Sequence, residues 1–153
     1  MIGLAADALG LGRFALAAAL LARLRSAVAA DMPARLRLRS HWVAAELGMV
    51  SGNHGAAARH AEQAAELATG YPSVRHRVKS DVVLAAALCS TGDVGRARAV
   101  AEGAFAEAEQ YGLIPLRWAL ACILADIGGN DDAAAVRDAC ARVIVHRGGV
   151  WRH

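Results

Sequence analysis

One short pattern, a glycine with an alanine five residues after it, recurs along this sequence at nearly constant spacing. The glycines are separated by 40, 40 and 37 residues, and they are Gly12, Gly52, Gly92 and Gly129. In three of the four copies an Asn or Asp follows the glycine directly. Glycine readily takes the left-handed conformation that ends a helix, and Asn or Asp caps the helix that follows. The pattern predicts four helical hairpins, and a repeat of this length is typical of stacked hairpins of this kind.

Side chains at three fixed distances from each glycine are almost all small. They lie seven residues before it, five after it and twelve after it, in that order: Ala5, Ala45, Ala85 and Cys122; Ala17, Ala57, Ala97 and Ala134; Leu24, Ala64, Ala104 and Ala141. Antiparallel helices reach the short end of the usual interaxial range, ~8–10 Å, only where the facing side chains are small. These positions predict close contacts within and between hairpins, although an alanine-rich chain also aligns some alanines by chance.

The stretches between the turns carry the apolar spacing of helices, and nowhere does a strand-like alternation persist. The predicted hairpins span residues 1–30, 34–69, 74–111 and 115–147, within one domain of residues 1–149 followed by a tail of residues 150–153. A chain of 153 residues is long enough to bury about 70% of its unfolded surface as a single domain. Few aromatic and threonine residues also argue against a sheet. The expected fold class is all-α.

The pattern resembles the tetratricopeptide repeat, in which small residues surround a Gly-Asn or Gly-Asp turn. Trp118 lies eleven residues before Gly129, where that family often carries tryptophan, and Trp42 lies ten before Gly52. The period exceeds the ~34 residues of the family, and it is similar to repeats in the sensor regions of large bacterial ATP-dependent transcription activators. The resemblance covers nearly the whole chain and implies a right-handed α-solenoid of about four antiparallel hairpins. Another helix-hairpin solenoid is the alternative.

In the repeat family, the first helix of each hairpin lines a concave groove that holds peptides. Transferred to this sequence by the glycine positions, the implied groove residues are Arg39, Trp42, Glu46, Met49, Lys79, Val82, Ala86, Cys89, Leu116, Ala119, Ile123 and Asp126. Members that grip a C-terminal carboxylate use Lys and Asn where this chain has Trp42, Glu46, Val82 and Ala86, so that specificity is not expected. The implied groove is mostly apolar with a charged rim, which suits an amphipathic peptide or helix.

No motif for catalysis, a cofactor or a metal stands out in the sequence. Gly10-Leu11-Gly12 lacks the third glycine and the preceding strand of a dinucleotide fingerprint. The three cysteines, Cys89, Cys122 and Cys140, are widely spaced without a Cys-x-x-Cys motif, which indicates free thiols in a reducing cytoplasm. We expect a non-enzymatic protein-interaction scaffold without cofactor or metal. A regulatory or sensor module of a bacterial transcription system is the alternative.

Positive charge is concentrated in the first half of the chain. Residues 1–79 hold 10 basic and 5 acidic residues, whereas residues 80–153 hold 7 and 9. Arg35 and Arg39 share a helical face, as do Arg75 and Lys79. This predicts a basic patch able to contact phosphate, and the alternative is ordinary solvated arginine. Only 7 aromatic residues are present, so a stacking surface for nucleic acid is not expected.

The sequence begins with apolar residues, Met1 to Ala6, although the ends of solenoids normally carry a polar surface. Either the chain is a piece of a longer repeat array or this face meets a partner, and a homodimer through the N-terminal hairpin is our expectation. The apolar run from Phe14 to Ala22 is shorter than the ~20 residues that span a bilayer. Its arginines follow the run, unlike those of an export signal. Trp151 in the tail is expected to cap the core of the last hairpin, and the alternatives are that it folds back on the groove or that the tail is disordered.

Overall fold

The computed structural model describes residues 1–27, 32–128 and 132–150 of the chain. The described residues form eight helices and no strand, so the all-α class is confirmed. In chain order the helices are α1 (Ile2–Gly10), α2 (Phe14–Ala27), α3 (Ala34–Val50), α4 (His54–Thr69), α5 (Val74–Thr91), α6 (Val94–Gln110), α7 (Ile114–Ile127) and α8 (Ala133–His146). None of these helices is both long enough and apolar enough to cross a membrane.

Glycines in the left-handed region separate the two helices of each pair, as the sequence predicts for the first three pairs. The φ angles are 71° at Gly12, 73° at Gly52 and 83° at Gly92. Two of the three predicted caps form, because Asn53 Oδ1 accepts from the Ala56 amide at 3.4 Å and Asp93 Oδ1 accepts from the Arg96 amide at 3.3 Å. The third, Asn130, lies outside the described residues. Each cap satisfies one amide that has no partner in the first turn of its helix.

The predicted register of the last pair is wrong by one residue. Gly129 to Asp131 lie outside the described residues, and the glycine with positive φ, at 71°, is Gly128. In place of Cys122, Ala134 and Ala141, the buried small residues are the ones just before them, which are Ala121, Ala133 and Cys140. Two consecutive glycines are equally able to end a helix, so the sequence alone does not choose between them.

The core consists of three clusters of buried side chains, and alanines dominate where helices come closest. One cluster joins α1, α2 and α3, a second joins α3 to α6, and a third joins α5 to α8. The alanines nearest the turns are at most 1% exposed: Ala5, Ala45, Ala85, Ala121, Ala17, Ala57, Ala97 and Ala133. Helix α5 belongs to two of the clusters, with buried side chains such as Val82 in one and Leu88 in the other.

The helices follow a regular order of contacts. Each helix packs against the next one, and the odd-numbered helices also contact one another in the order α1, α3, α5, α7. Within the described ranges the even-numbered helices make no such contacts with each other. Helices α3, α5 and α7 therefore lie side by side, and their N-terminal halves carry the site described next.

Candidate functional site

A cavity of about 470 Å³ lies over the N-terminal halves of α3 and α5, beside the start of α7. We call it the basic cavity, and its lining residues are Arg35, Arg39, Trp42, Arg75, His76, Lys79 and Leu116. Four of the predicted groove residues, Arg39, Trp42, Lys79 and Leu116, are thus brought together in one place. The other three lining residues are basic or titratable, so the cavity is more strongly charged than the expected apolar groove.

The aromatic wall of the basic cavity is held in place by a buried hydroxyl. The Trp42 indole N–H donates to Ser80 Oγ at 2.9 Å, and Ser80 Oγ donates to the His76 carbonyl at 2.9 Å. Ser80 is fully buried, so removing it would leave an indole N–H without a partner. The His76 ring lies between Trp42 and Tyr71, with centroids 5.5 Å and 4.9 Å away. These contacts hold the Trp42 and His76 rings in position without a ligand.

Positive charge in the basic cavity is only partly compensated. Lys79 Nζ pairs with Glu46 Oε1 at 2.9 Å, which joins two predicted groove residues across α5 and α3. Among the described residues, no carboxylate lies within ion-pair distance of Arg35, Arg39 or Arg75. The cavity therefore presents three guanidinium groups that have no ion-pair partner in the part of the chain that the structure describes.

The pKa of His76 is lowered in part by the same excess of positive charge. Burial lowers the pKa of His76 below its usual value, and the charges of Arg35, Arg75 and Arg39 lower it further. All three arginines thus act on one imidazole, which is neutral at pH 7 because its pKa is depressed. Its Nδ1 lies 2.9 Å from Ser73 Oγ.

The remaining predicted groove residues lie on the same three helices but do not line the basic cavity. Met49 and Cys89 pack against the second core cluster, whereas Ala119 and Ile123 pack against the third, of which Val82 is a buried member. Of the last two residues, Ala86 is half-buried and Asp126 is exposed. The groove assignment beyond the basic cavity stays a prediction.

Arg35 and Arg75 were expected in a basic patch rather than in the groove, and His76 was not singled out. The signal that finds them is the period, because Arg35 and Arg75 are 40 residues apart, as are Arg39 and Lys79. Both members of each of these two pairs line the basic cavity. Two further basic residues lie between these in sequence but do not line the basic cavity. Arg37 lines a different cavity together with His41, and Arg77 pairs with Glu107.

The described residues offer little for chemistry at a reactive group. No group of three or more His, Cys, Asp or Glu side chains within them is placed to hold a metal ion. Burial raises the pKa of the thiols of Cys89, Cys122 and Cys140, which lowers their nucleophilic thiolate fraction. What the basic cavity can do is bind an anion through guanidinium groups beside an apolar wall.

Comparisons of the chain with protein-family models, with curated proteins and with solved structures gave no significant match.

Proposed function

We propose that this protein is a non-enzymatic interaction scaffold that binds a peptide or helix along the face of α3, α5 and α7. In this proposal the chain is a right-handed α-solenoid of four helix pairs, similar to tetratricopeptide repeats with a lengthened period. Helix stacks of this kind bind extended partners on the surface formed by one helix of each pair. A regulatory or sensor module of a bacterial transcription system remains the alternative.

Three features of the chain support the repeat. Glycines with positive φ stand at corresponding turns in all four pairs, and the alanines around them are buried at corresponding places. With Gly128 as the last turn, Trp118 lies ten residues before its glycine, as Trp42 does before Gly52. The odd helices contact each other in sequence whereas the even ones do not, which is the order expected when pairs stack side by side.

The observation that carries the binding proposal is the basic cavity on this face. Trp42, which is half-buried, and Leu116 supply apolar surface. Tryptophan and arginine are the residue types that most often dominate binding energy at interfaces. Glu46 and Lys79 form an ion pair at the rim, where polar contacts set the register of a partner more than they set affinity.

A display library of random 16-residue peptides, selected on the wild-type protein, tests this proposal. We expect selected peptides to bind in fluorescence anisotropy and to lose at least tenfold in affinity against Trp42→Ala with Arg39→Ala. Arg39→Glu alone is a second variant, because Trp42→Ala also removes the partner of Ser80. Tyr111→Ala with Arg59→Ala is the matched control, because Arg59 is an exposed residue of α4 and Tyr111 is an exposed residue directly after α6. Peptides that bind the two double variants equally would rule out this face.

Self-association through the first helix pair is a further part of the proposal. Large apolar side chains of α1, α2 and their turn are 41–70% exposed: Met1, Leu4, Leu11, Phe14 and Leu16. Apolar surface clustered in one region commonly marks a protein contact. A homodimer would cover it and leave the basic cavity, which belongs to α3, α5 and α7, open to a partner.

A further inference from the structure

We propose that the basic cavity is a binding site for a small organic phosphate, with the phosphoryl group at Arg35, Arg39 and Arg75 and the organic part on Trp42 and Leu116. This inference goes beyond peptide binding, because it requires no peptide and assigns the cavity a small-molecule ligand.

The first argument is the concentration of unpaired charge. The three guanidinium groups come from two neighbouring helices, and no carboxylate of the described residues pairs with them. All three line the same cavity as the His76 ring, and their charges lower its pKa. A concave site lined by one sign of charge concentrates counter-ions.

The second argument is the match in charge and shape. A phosphate monoester carries about −1.5 to −2 charges at pH 7 and offers three acceptor oxygens. A carboxylate carries one charge and two oxygens, so it leaves part of this cluster uncompensated. The planar fork of arginine fits phosphate oxygens in pairs. One phosphoryl group therefore matches the charge of three arginines that line one cavity better than one carboxylate does.

The third argument is the space beside the cations. The volume of about 470 Å³ lies within the range of small-ligand sites, ~300–1,000 Å³. Arg75 and Leu116 also line a second cavity of about 120 Å³, whose other residues are Gly112, Leu113 and Pro115. The cleft thus continues from the cations onto an apolar wall, which suits a ligand with a charged head and an apolar or aromatic body.

The experiment uses the full chain and three probes: phenyl phosphate, inorganic phosphate and phenylacetate. Binding is followed by calorimetry and by the indole N–H resonance of Trp42, which is assigned from its loss in Trp42→Phe. We expect phenyl phosphate to shift this resonance and to bind at least tenfold more tightly than either other probe. The pKa of His76, followed by NMR, should rise on saturation because the bound anion offsets the guanidinium charge.

Arg35→Gln with Arg75→Gln should weaken phenyl phosphate binding at least tenfold. Arg59→Gln with Arg142→Gln removes the same charge from exposed positions of α4 and α8 and should leave binding within twofold. Thermal unfolding of both variants checks that the fold is kept. Equal binding of phenyl phosphate and inorganic phosphate would overturn the assignment of the organic part. Tighter binding of a tetraglutamate peptide would overturn the phosphate assignment and favour a peptide ligand. Equal losses in the two double variants would overturn the site itself.

Discussion

The first helix pair, α1 and α2, and the third, α5 and α6, are built on the same glycine and alanine spacing but are embedded differently. The third pair has neighbours on both sides, and α5 contributes to two core clusters. The first pair contacts only α3 among the other described helices, and its apolar side chains remain exposed. One local pattern therefore sets how two helices pair, whereas the number of neighbours sets which side chains become core.

Polar contacts also link the third pair to its neighbouring helices. The third pair is linked to α3 by Trp42–Ser80 and Lys79–Glu46, and to α7 by Arg98, which donates to the Ile127 carbonyl at 3.1 Å. The first pair joins α3 through the apolar cluster of Ile2, Leu21 and Val43. A cavity of about 280 Å³ is lined by residues of α2, α3 and α4. We therefore infer that the two pairs respond differently when a side chain is enlarged, made charged or protonated.

The largest expected effect comes from bulk at a helix contact. Ala97 in α6 and Ala17 in α2 are both 0% exposed, so leucine at either position must displace neighbours. We expect Ala97→Leu to lower the free energy of unfolding by about 3 kcal/mol, the upper end of typical overpacking. Ala17→Leu should cost only about 1 kcal/mol, because Ala18 and Leu21 border the cavity and their side chains have room to move.

Urea denaturation of the two leucine variants measures this difference. If both variants lose the same stability, the first pair is as tightly embedded as the third and the comparison fails. If Ala97→Leu leaves stability unchanged, the predicted close contact of the repeat is itself wrong.

The second prediction concerns the exposed apolar surface of the first pair. Leu4→Lys with Leu11→Lys should weaken self-association at least hundredfold, because two large apolar side chains would no longer be buried. Sedimentation equilibrium measures the dimer constant. Val145→Lys in α8, which is 52% exposed, is the control and should leave it unchanged. A wild-type protein that stays monomeric at all concentrations would refute the dimer and leave this surface without a role.

The all-α class and most of the helices could be predicted from sequence, because strong local signals mark where the helices end and begin. Gly92 ends one helix and Asp93 caps the next. Both signals are local and do not depend on the rest of the chain. The exception is Gly128, where two adjacent glycines gave two possible registers. Which alanines are buried follows from the turn positions, so the error of one residue at the turn carried through α7 and α8.

The site was predicted only in part, because its residues come from different helices. Arg39, Trp42 and Lys79 were assigned to a groove through a family resemblance, and Arg35 and Arg75 to a patch through charge. Joining the two sets requires knowing that residues one period apart meet across α3 and α5. The role of Ser80 was hidden because a serine inside an apolar stretch shows no signal until its partner, Trp42, is located.

The third prediction tests that hydroxyl. Ser80→Ala should lower the free energy of unfolding by about 1–2 kcal/mol, because the Trp42 indole N–H loses its acceptor in a buried place. The Trp42 indole resonance should shift in the same variant. Ser90→Ala, later in α5, removes only a local bond to the Ala87 carbonyl and should cost less than about 0.5 kcal/mol. Equal losses would show that the link between α3 and α5 adds no particular stability.

The smallest expected effect is a pH dependence that belongs to the middle of the chain. Burial raises the pKa of Asp81 in α5 to about 6, and the charge of Glu107 raises it whereas Arg77 opposes this. Since the folded chain binds this proton more tightly than the unfolded chain, Asp81 favours folding as the pH falls through about 6. At pH 7.5 its carboxylate is charged and costly, so Asp81→Asn should add about 1 kcal/mol, a value reduced for its partial exposure.

His41 in α3 opposes Asp81 on acidification. Its Nδ1 lies 3.1 Å from that of His60 in α4, and burial, then His60, then Arg37, lower the pKa of His41 below 6.5. The unfolded chain therefore binds this proton first, and stability is lost as the pH falls below about 6.5. His76, whose pKa is also lowered, acts in the same direction. In the wild type the two histidines therefore oppose the gain from Asp81 as the pH falls.

Asp81→Asn removes only the favourable effect, so its stability should fall on acidification and its advantage over the wild type should shrink as the pH passes below about 6. Urea denaturation at pH 7.5, 6.5, 5.5 and 4.5 measures this. Asp7→Asn in α1, an exposed position of the first pair, should differ from the wild type by less than about 0.5 kcal/mol throughout. An advantage of Asp81→Asn that stays constant with pH would mean that the α5 carboxylate is as well solvated as the one in α1, and protonation would no longer distinguish the two pairs.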